Sequence, residues 1–310
     1  MNLKMDPYRL GLIATRTHYF QLVARLGSIR QASKALNVAP SSISRVIKQL
    51  EDELGTPLFE RVRQRLRLTS AGELLLYHVR ESYVDMNRAV MEINDLSGLR
   101  RGTIAVATIE SAARGMLPEA LEEFWSRHPE ITVDVKVVSS QDVANAVGDG
   151  SCDLGIAFDV SVPRNARRLS SLAVPLGLLV PPGSRFADRT ELRTFDISGE
   201  RIILSDTSLS LSMSVEELFS GSMVEFSRRS RTNSIGLMID LARRGLGAIM
   251  QTRVGVEREI ENGELLFIPL RDPKLRPRRL MLMSRAKSEI SDAASAFATS
   301  LSRCFEQLKS

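Results

Sequence analysis

Four arginines stand at alternate positions, Arg61, Arg63, Arg65 and Arg67. Alternation is the period of an extended strand, so the run predicts a strand or hairpin with guanidinium groups along one face. Guanidinium offers several N–H donors and a permanent charge, which suits phosphate oxygens or a narrow minor groove. Upstream, Ser41, Ser44, Arg45 and Lys48 recur at helical spacing, opposite a stripe of Ile43, Ile47, Leu50 and Leu54. A helix packed on one side and carrying short hydroxyls and cations on the other can read base edges in a major groove. An Arg45–guanine pair would contribute about 1–3 kcal/mol of base discrimination, whereas an Arg45–phosphate pair would add affinity alone. The sequence leaves both open.

Charge distribution supports a polyanion partner for this region. Residues 1–70 hold 12 Lys and Arg against 5 Asp and Glu; residues 71–100 hold 3 against 5; residues 101–310 hold 27 against 27. The formal net charge of +5 therefore originates in the first quarter of the chain.

The elements around these residues are legible from periodicity. Residues 6–25 predict a helix that stops at Gly27. Ser28 caps a short second helix with Ile29, Ala32 and Leu36 on its buried stripe, and Asn37-Val38-Ala39 is a tight connection. Pro40 suits the first turn of a third helix, which Gly55 ends. Two short helices joined by a three-residue turn form a helix-turn-helix pattern. After the arginines, Ser70-Ala71-Gly72-Glu73 reads as a capping box. Leu76, Val79, Tyr83, Met86, Val90 and Ile93 then follow at coiled-coil spacing. Up to Ser97 this helix would be about 42 Å long, a rod suited to pairing with a second copy. Gly98 and Arg100-Arg101-Gly102 read as a hinge.

From Thr103 strands and helices alternate. Residues 104–107, 131–137 and 153–158 read as strands separated by helices around Leu117 and Val143, a βαβαβ order that implies an α/β domain with a mostly parallel sheet. Residues 176–180, 202–204 and 280–283 read as further strands. Asn233-Ser234 caps a helix, and a last helix begins at Ser288. At 310 residues with 43% hydrophobic and 25% charged residues, two globular domains are expected.

Several function classes fall away. No stretch of roughly 18 uncharged apolar residues is available to span a membrane, and the N-terminal residues show no secretory pattern. Cys152 and Cys304 are too few and too far apart for a disulfide framework or zinc ribbon, and fit a reducing cytoplasm. They read as buried structural thiols rather than a redox pair. His18, His78 and His128 show no metal-ligand spacing. No Gly-rich phosphate loop or nucleophile elbow supports an enzyme.

The run S-I-R-Q-A-S-K-A-L-N-V-A-P-S-S-I-S-R-V-I-K-Q-L-E-D-E-L-G-T-P-L-F-E-R, from Ser28 to Arg61, resembles the winged helix-turn-helix signature of the LysR-type transcriptional regulators. L-T-S-A-G-E, from Leu68 to Glu73, resembles that family's entry into its linker helix. Leu117-Pro118, the run from Asp153 to Ala157, and the run from Arg244 to Ala248 match its effector domain in order and spacing. The resemblance implies a winged helix-turn-helix domain over residues 1–69, a dimerising linker helix over 70–98 and an effector-binding domain over 101–310. That last domain would be similar to periplasmic binding proteins: lobe I over about 101–165 and 276–310, lobe II over about 166–275, with a ligand cleft between them.

The implied function is regulation of transcription, as activator or repressor. A homodimer paired through the linker helix, assembling into a homotetramer, would bind partly palindromic promoter DNA and respond to a small-molecule effector, with RNA polymerase a further candidate partner and no cofactor needed. The competing reading is a ligand-independent architectural DNA-binding protein. The resemblance implies groove contact by Pro40, Ser41, Ser44 and Arg45, with Lys48, Arg61, Arg63 and Arg65 on phosphates or in the wing. It implies effector contact by Ser111, Ser139, Ser140, Ser205, Thr207, Asn233 and Ser234, with Arg114 available to an anionic ligand; simple helix capping explains Asn233 and Ser234 equally well. The chain departs from the family at Ser33, where alanine is usual, at Ala39-Pro40, where Ser-Gln is common, and at Gln251, where proline often stands.

Overall fold

A computed structural model describes residues 8, 10–62, 65–96, 102–209, 211–212, 215, 219, 226–273, 275–285 and 290–308. They divide into two compact units, Met1–Arg101 and Gly102–Ser310.

The first unit contains α1 (Thr15–Leu26), α2 (Ile29–Leu36), α3 (Pro40–Leu54), a hairpin of β1 (Phe59–Val62) and β2 (Arg65–Leu68), and α4 (Ser70–Leu96). Helix α1 starts later than its apolar spacing suggests. Gly11 takes a left-handed φ of 69°, which a helix cannot propagate through, and Ala14 is the N-cap. The Ser28 hydroxyl accepts the Gln31 N–H, and left-handed Asn37 (φ 54°) turns the chain toward α3. Buried Ser33 donates its hydroxyl to the Val38 carbonyl at 2.6 Å, so the departure from alanine adds a satisfied bond that pins the turn. Phe20, Val23, Ala32, Ile43, Ile47, Leu50 and Leu58 form the core of this unit. Leu54, expected on that stripe, is 52% exposed.

The hairpin corrects the expected arginine row. Residues directly opposite one another in an antiparallel pair share a face. Arg61 lies opposite Leu66, while Arg67 lies opposite Glu60, the next position along, so Arg61 and Arg67 occupy opposite faces. Arg65 is opposite Val62, and Arg63 lies outside the described residues. The turn, which a simple count along the chain ignores, splits the row.

Helix α4 is capped by Thr69 rather than by Ser70: the Thr69 hydroxyl accepts the Gly72 N–H and donates to the Pro57 carbonyl. Gly72 fits because a Cβ there would collide with the Leu58 carbonyl oxygen at the base of the wing. Leu76 and Val79, expected in a dimer seam, are buried with the unit's own core, and the Tyr83 ring stacks on Tyr8 at 5.1 Å. Leu74, Tyr77 and Met86 remain exposed. The expected hinge from Gly98 to Arg101 falls outside the described residues.

The second unit is α/β, with two five-stranded sheets. The first runs in the order β4-β3-β5-β12-β6, from β3 (Thr103–Thr108), β4 (Thr132–Val137), β5 (Leu154–Phe158), β6 (Ala166–Val174) and β12 (Arg278–Arg285). Strand β3 is parallel to β4 and β5; β12 runs antiparallel to both its neighbours. The second sheet, β11-β7-β10-β8-β9, consists of β7 (Gly177–Val180), β8 (Arg201–Ser205), β9 (Ser227–Thr232), β10 (Ala248–Gln251) and β11 (Leu266–Pro269). Because β6 pairs with β12, the chain leaves the first lobe after Val174, not near residue 165 as the sequence suggested, and it has returned by Arg278.

Helices α5 (Glu110–Arg114), α6 (Met116–Arg127), α7 (Ser140–Gly148) and α10 (Asp292–Gln307) flank the first sheet in the chain order that the βαβ pattern predicts. Helices α8 (Ile235–Arg243) and α9 (Glu257–Glu261) belong with the second. Helix α10 is capped by Ser291 and begins after the expected Ser288. Phe124, Phe297, Leu154, Ile156, Leu282 and Leu301 anchor the first lobe's core; Leu178, Ile197, Ile202 and Met250 anchor part of the second's. No described helix is long and apolar enough to cross a membrane.

Candidate nucleic-acid interface and interlobe cleft

Helix α3 is built to present one face. Ile43, Ile47 and Leu50 are buried, and Pro40, Ser41, Ser44, Arg45 and Lys48 are exposed. Pro40 occupies the first helical turn, where no N–H is needed. The wing is tied to this helix by Glu51, whose carboxylate accepts the Leu58 and Phe59 N–H groups at 2.8 and 3.1 Å. Arg61 and Arg67 are exposed on the hairpin. Basic and hydroxyl groups thus stand on adjoining elements of one rigid module.

Between the lobes of the second unit lies a cleft of about 370 Å³. From the first lobe, Ile109, Ser111, Val138, Ser139, Ser140 and Phe158 line it; from the second, Ser208, Leu209, Asn233, Ile235 and Gln251. Ser111 and Ser140 are buried, and the Ser140 hydroxyl accepts the Phe158 N–H at 3.2 Å. Ser139 caps α7 by accepting the Asp142 N–H and donates its own hydroxyl to the Asp142 carboxylate at 2.7 Å. Of the expected effector residues, Ser111, Ser139, Ser140 and Asn233 come together here. Ser205, Thr207 and Ser234 do not line the cleft: Ser205 is buried in β8, Thr207 is exposed on a turn, and Ser234 caps α8 by accepting the Leu237 N–H.

Arg114 is also absent from the lining. It points between the lobes and is spoken for, donating to Glu259 at 2.8 Å and to the Gly255 carbonyl at 3.3 Å. Beside it, the Glu110 carboxylate accepts the first N–H groups of α8, Ile235 at 3.0 Å and Gly236 at 2.9 Å, where the helix dipole favours negative charge. Gly255, at φ 86°, rests against the Ser111 backbone so closely that a Cβ would meet the Ser111 carbonyl at 2.6 Å. One short helix, α5, therefore carries these polar ties between the lobes.

Gln251 and Arg278 are among the cleft residues that the sequence does not mark as site residues. Gln251 is 4% exposed at the end of β10. Arg278, also 4% exposed, opens β12; its Nε donates to Asp159 at 2.7 Å and its guanidinium lies 4.6 Å from the Phe158 ring centroid. Burial pulls the Arg278 pKa down, and Asp159 opposes that shift. The signal available in the sequence is the Arg278-Arg279 pair directly before the apolar run Leu280–Met283.

The thiols behave as buried apolar groups. Burial, with Asp153 and Asp149 adding to it, pushes the Cys152 pKa up to about 12; burial, with Glu119 and Glu123, pushes that of Cys304 up to about 11. Among the described residues, no group of three or more His, Cys, Asp or Glu is placed to hold a metal ion.

A winged helix-turn-helix module followed by a two-lobed α/β domain with a central cleft defines a one-component regulator, a DNA-binding head joined to a small-molecule sensor. The model of the bacterial regulatory helix-turn-helix proteins of the lysR family matches residues 15–73, and that of the LysR substrate binding domain matches residues 97–305. The chain belongs to the LysR family of DNA-binding transcriptional regulators.

Among its relatives, a probable RuBisCO transcriptional regulator of Synechocystis sp. is 26% identical over 282 residues, 89% of this chain and 81% of that protein. The transcriptional activator protein LysR of Escherichia coli is 26% identical over 228 residues, 74% of this chain and 73% of its own. Among solved structures, a full-length OxyR variant from Pseudomonas aeruginosa superposes with a TM-score of 0.63 at 18% identity, covering 93% of each chain. Full-length CbnR complexed with its target DNA superposes with a TM-score of 0.56 at 19% identity, covering 94% of this chain and 99% of that one.

Proposed function

We propose that this regulator reads partly palindromic promoter DNA by inserting α3 into the major groove, with Pro40, Ser41, Ser44 and Arg45 at the bases and Lys48, Arg61, Arg63 and Arg65 on phosphates and in the wing. The observation that carries the reading is the polar, basic and exposed face of α3, set on a core that buries the opposite face. A two-fold site needs a two-fold protein. A homodimer through α4 supplies it, and exposed Leu74 and Tyr77, at helical neighbour spacing, are surface for that pairing. Dimers pair into a homotetramer, and a small molecule in the interlobe cleft shifts the balance between its conformations, altering promoter geometry and contact with RNA polymerase.

The test is footprinting of the full chain on genomic DNA, followed by duplex titration at fixed salt. Protected two-fold sites are expected. Arg45→Ala should weaken specific binding by about 1–3 kcal/mol if the contact is to a base, with relaxed preference at one position of each half-site. Unchanged affinity and unchanged preference would remove Arg45 from the groove. A chain that binds DNA but ignores every small molecule would be an architectural protein.

A further inference from the structure

Gln251 and Ser111 are buried polar residues whose side chains make no hydrogen bond to any described residue, and both line the interlobe cleft. Ser111 is 2% exposed and Gln251 4%. Neither is among the side-chain polar atoms sealed from solvent without a partner, so both turn their polar atoms to the open cleft, where a ligand can meet them. A cleft that leaves two such groups open faces a partner that completes them. Gln251 also stands where the family often carries proline, which has no polar side-chain atom to offer.

The surrounding charges decide what kind of group that partner presents. Gln251 can donate through Nε2, Ser111 through its hydroxyl, and Arg278 brings the cleft's buried cation. The two acids of the lining are already committed, Glu110 to the Ile235 and Gly236 N–H groups and Asp142 to the Ser139 hydroxyl. These carboxylates keep further lone pairs, but the N–H and O–H groups they accept from already offset part of their charge before a ligand enters. Asp159, the partner of Arg278, is 38% exposed at its side chain, so water can share its charge when a second anion approaches. Ile109, Phe158, Leu209 and Ile235 supply apolar wall, and 370 Å³ lies near the small end of ligand pockets.

We propose that Gln251 is a specificity-determining residue for the effector and that the effector is a small monocarboxylate with an apolar body. Its carboxylate accepts from Gln251 Nε2 and Ser111 Oγ beside Arg278. The inference rests on the reading of the cleft as the effector site and adds the chemistry of its occupant.

The experiment is calorimetric titration of the full chain, in a carboxylate-free neutral buffer, with a panel of monocarboxylates of graded apolar length. Each is paired with the primary amide, alcohol and amine of the same skeleton. The expected result is a carboxylate that binds more tightly than its three counterparts. Gln251→Leu should weaken it about tenfold or more, and Gln251→Glu further still, by setting carboxylate against carboxylate. Melting curves without ligand show whether each variant is folded. If Gln251→Leu is not, Gln251→Asn, which keeps the amide one methylene short, should give a smaller but measurable loss. Equal carboxylate affinity in the wild-type chain and the folded variants overturns the proposal. So does a panel in which amides, alcohols or amines bind better, or in which nothing binds. Promoter duplex is titrated with wild-type protein in parallel: failure there strikes the regulatory function, whereas normal duplex binding with carboxylate affinity indifferent to Gln251 strikes this inference alone.

Discussion

Arg114 donates through Nη2 to Glu259 at 2.8 Å, joining α5 of the first lobe to α9 of the second. The Glu259 side chain is 14% exposed, so losing its partner leaves a largely buried carboxylate unpaired. Arg114→Ala should lower the stability of the α/β unit by about 1–2 kcal/mol. The only tryptophan, Trp125, lies in this unit, so its fluorescence reports that unfolding separately from the head. A double-mutant cycle with Glu259→Gln checks the pair; coupling indistinguishable from zero would show that the contact adds nothing.

Glu110 holds the first turn of α8 by charge as well as by hydrogen bonds. Glu110→Gln keeps the shape, removes the charge and turns one oxygen into a donor that the Ile235 and Gly236 N–H groups cannot use. A loss of about 1 kcal/mol is expected. Faster hydrogen exchange at the Ile235 and Gly236 amides is the direct measurement, and unchanged protection of both would contradict it.

Glu257 gives this unit a pH dependence of definite sign. Burial is the largest cause raising its pKa, and Glu119 adds to it; the N–H groups around Gly255 pull the other way. The folded state therefore binds this proton more tightly than the unfolded chain. The residue's penalty is present above the raised folded value and is relieved as pH falls through that value toward the ordinary glutamate range. Glu257→Gln should raise the melting temperature at pH 7.5, with the gain shrinking on acidification. A gain that grew at low pH would reverse the sign of this account.

Cys152 and Cys304 should be inert in the native protein. With thiol pKa values pushed up to about 12 and about 11, almost no thiolate exists at neutral pH. Iodoacetamide at pH 7.5 should label neither until denaturant is added, and mild peroxide should leave duplex binding unchanged. Rapid labelling of either cysteine in the folded chain would reopen the redox reading.

Much of this architecture was readable because its signals are local. The head follows from caps and glycines at short range: Ser28 before α2, Pro40 in the first turn of α3, and Gly27 and Gly55 as left-handed stops. Errors arose where position depends on distant pairing. The row of arginines looked single because β1 and β2 were counted along one line, whereas the turn between them places Arg61 and Arg67 on opposite faces. Strand β6, with Arg167, Arg168, Ser170 and Ser171, has little apolar rhythm and exists because β12 pairs with it, which moved the lobe boundary. The cleft was half legible. Ser111, Ser139 and Ser140 stand at helix starts that periodicity locates, whereas Arg278 belongs to a strand that returns more than a hundred residues later. Arg114 was misread because its partner, Glu259, is 145 positions away.

The glycine at position 72 has a mechanical meaning. With hydrogen where any other residue has carbon, the start of α4 sits flush on the Leu58 carbonyl, and Thr69 bolts the same spot to Pro57. Wing and rod therefore turn as one solid piece. Torque applied at the far end of a 27-residue lever therefore reaches the hairpin without being absorbed at the joint, so a twist of the rod becomes a tilt of the wing.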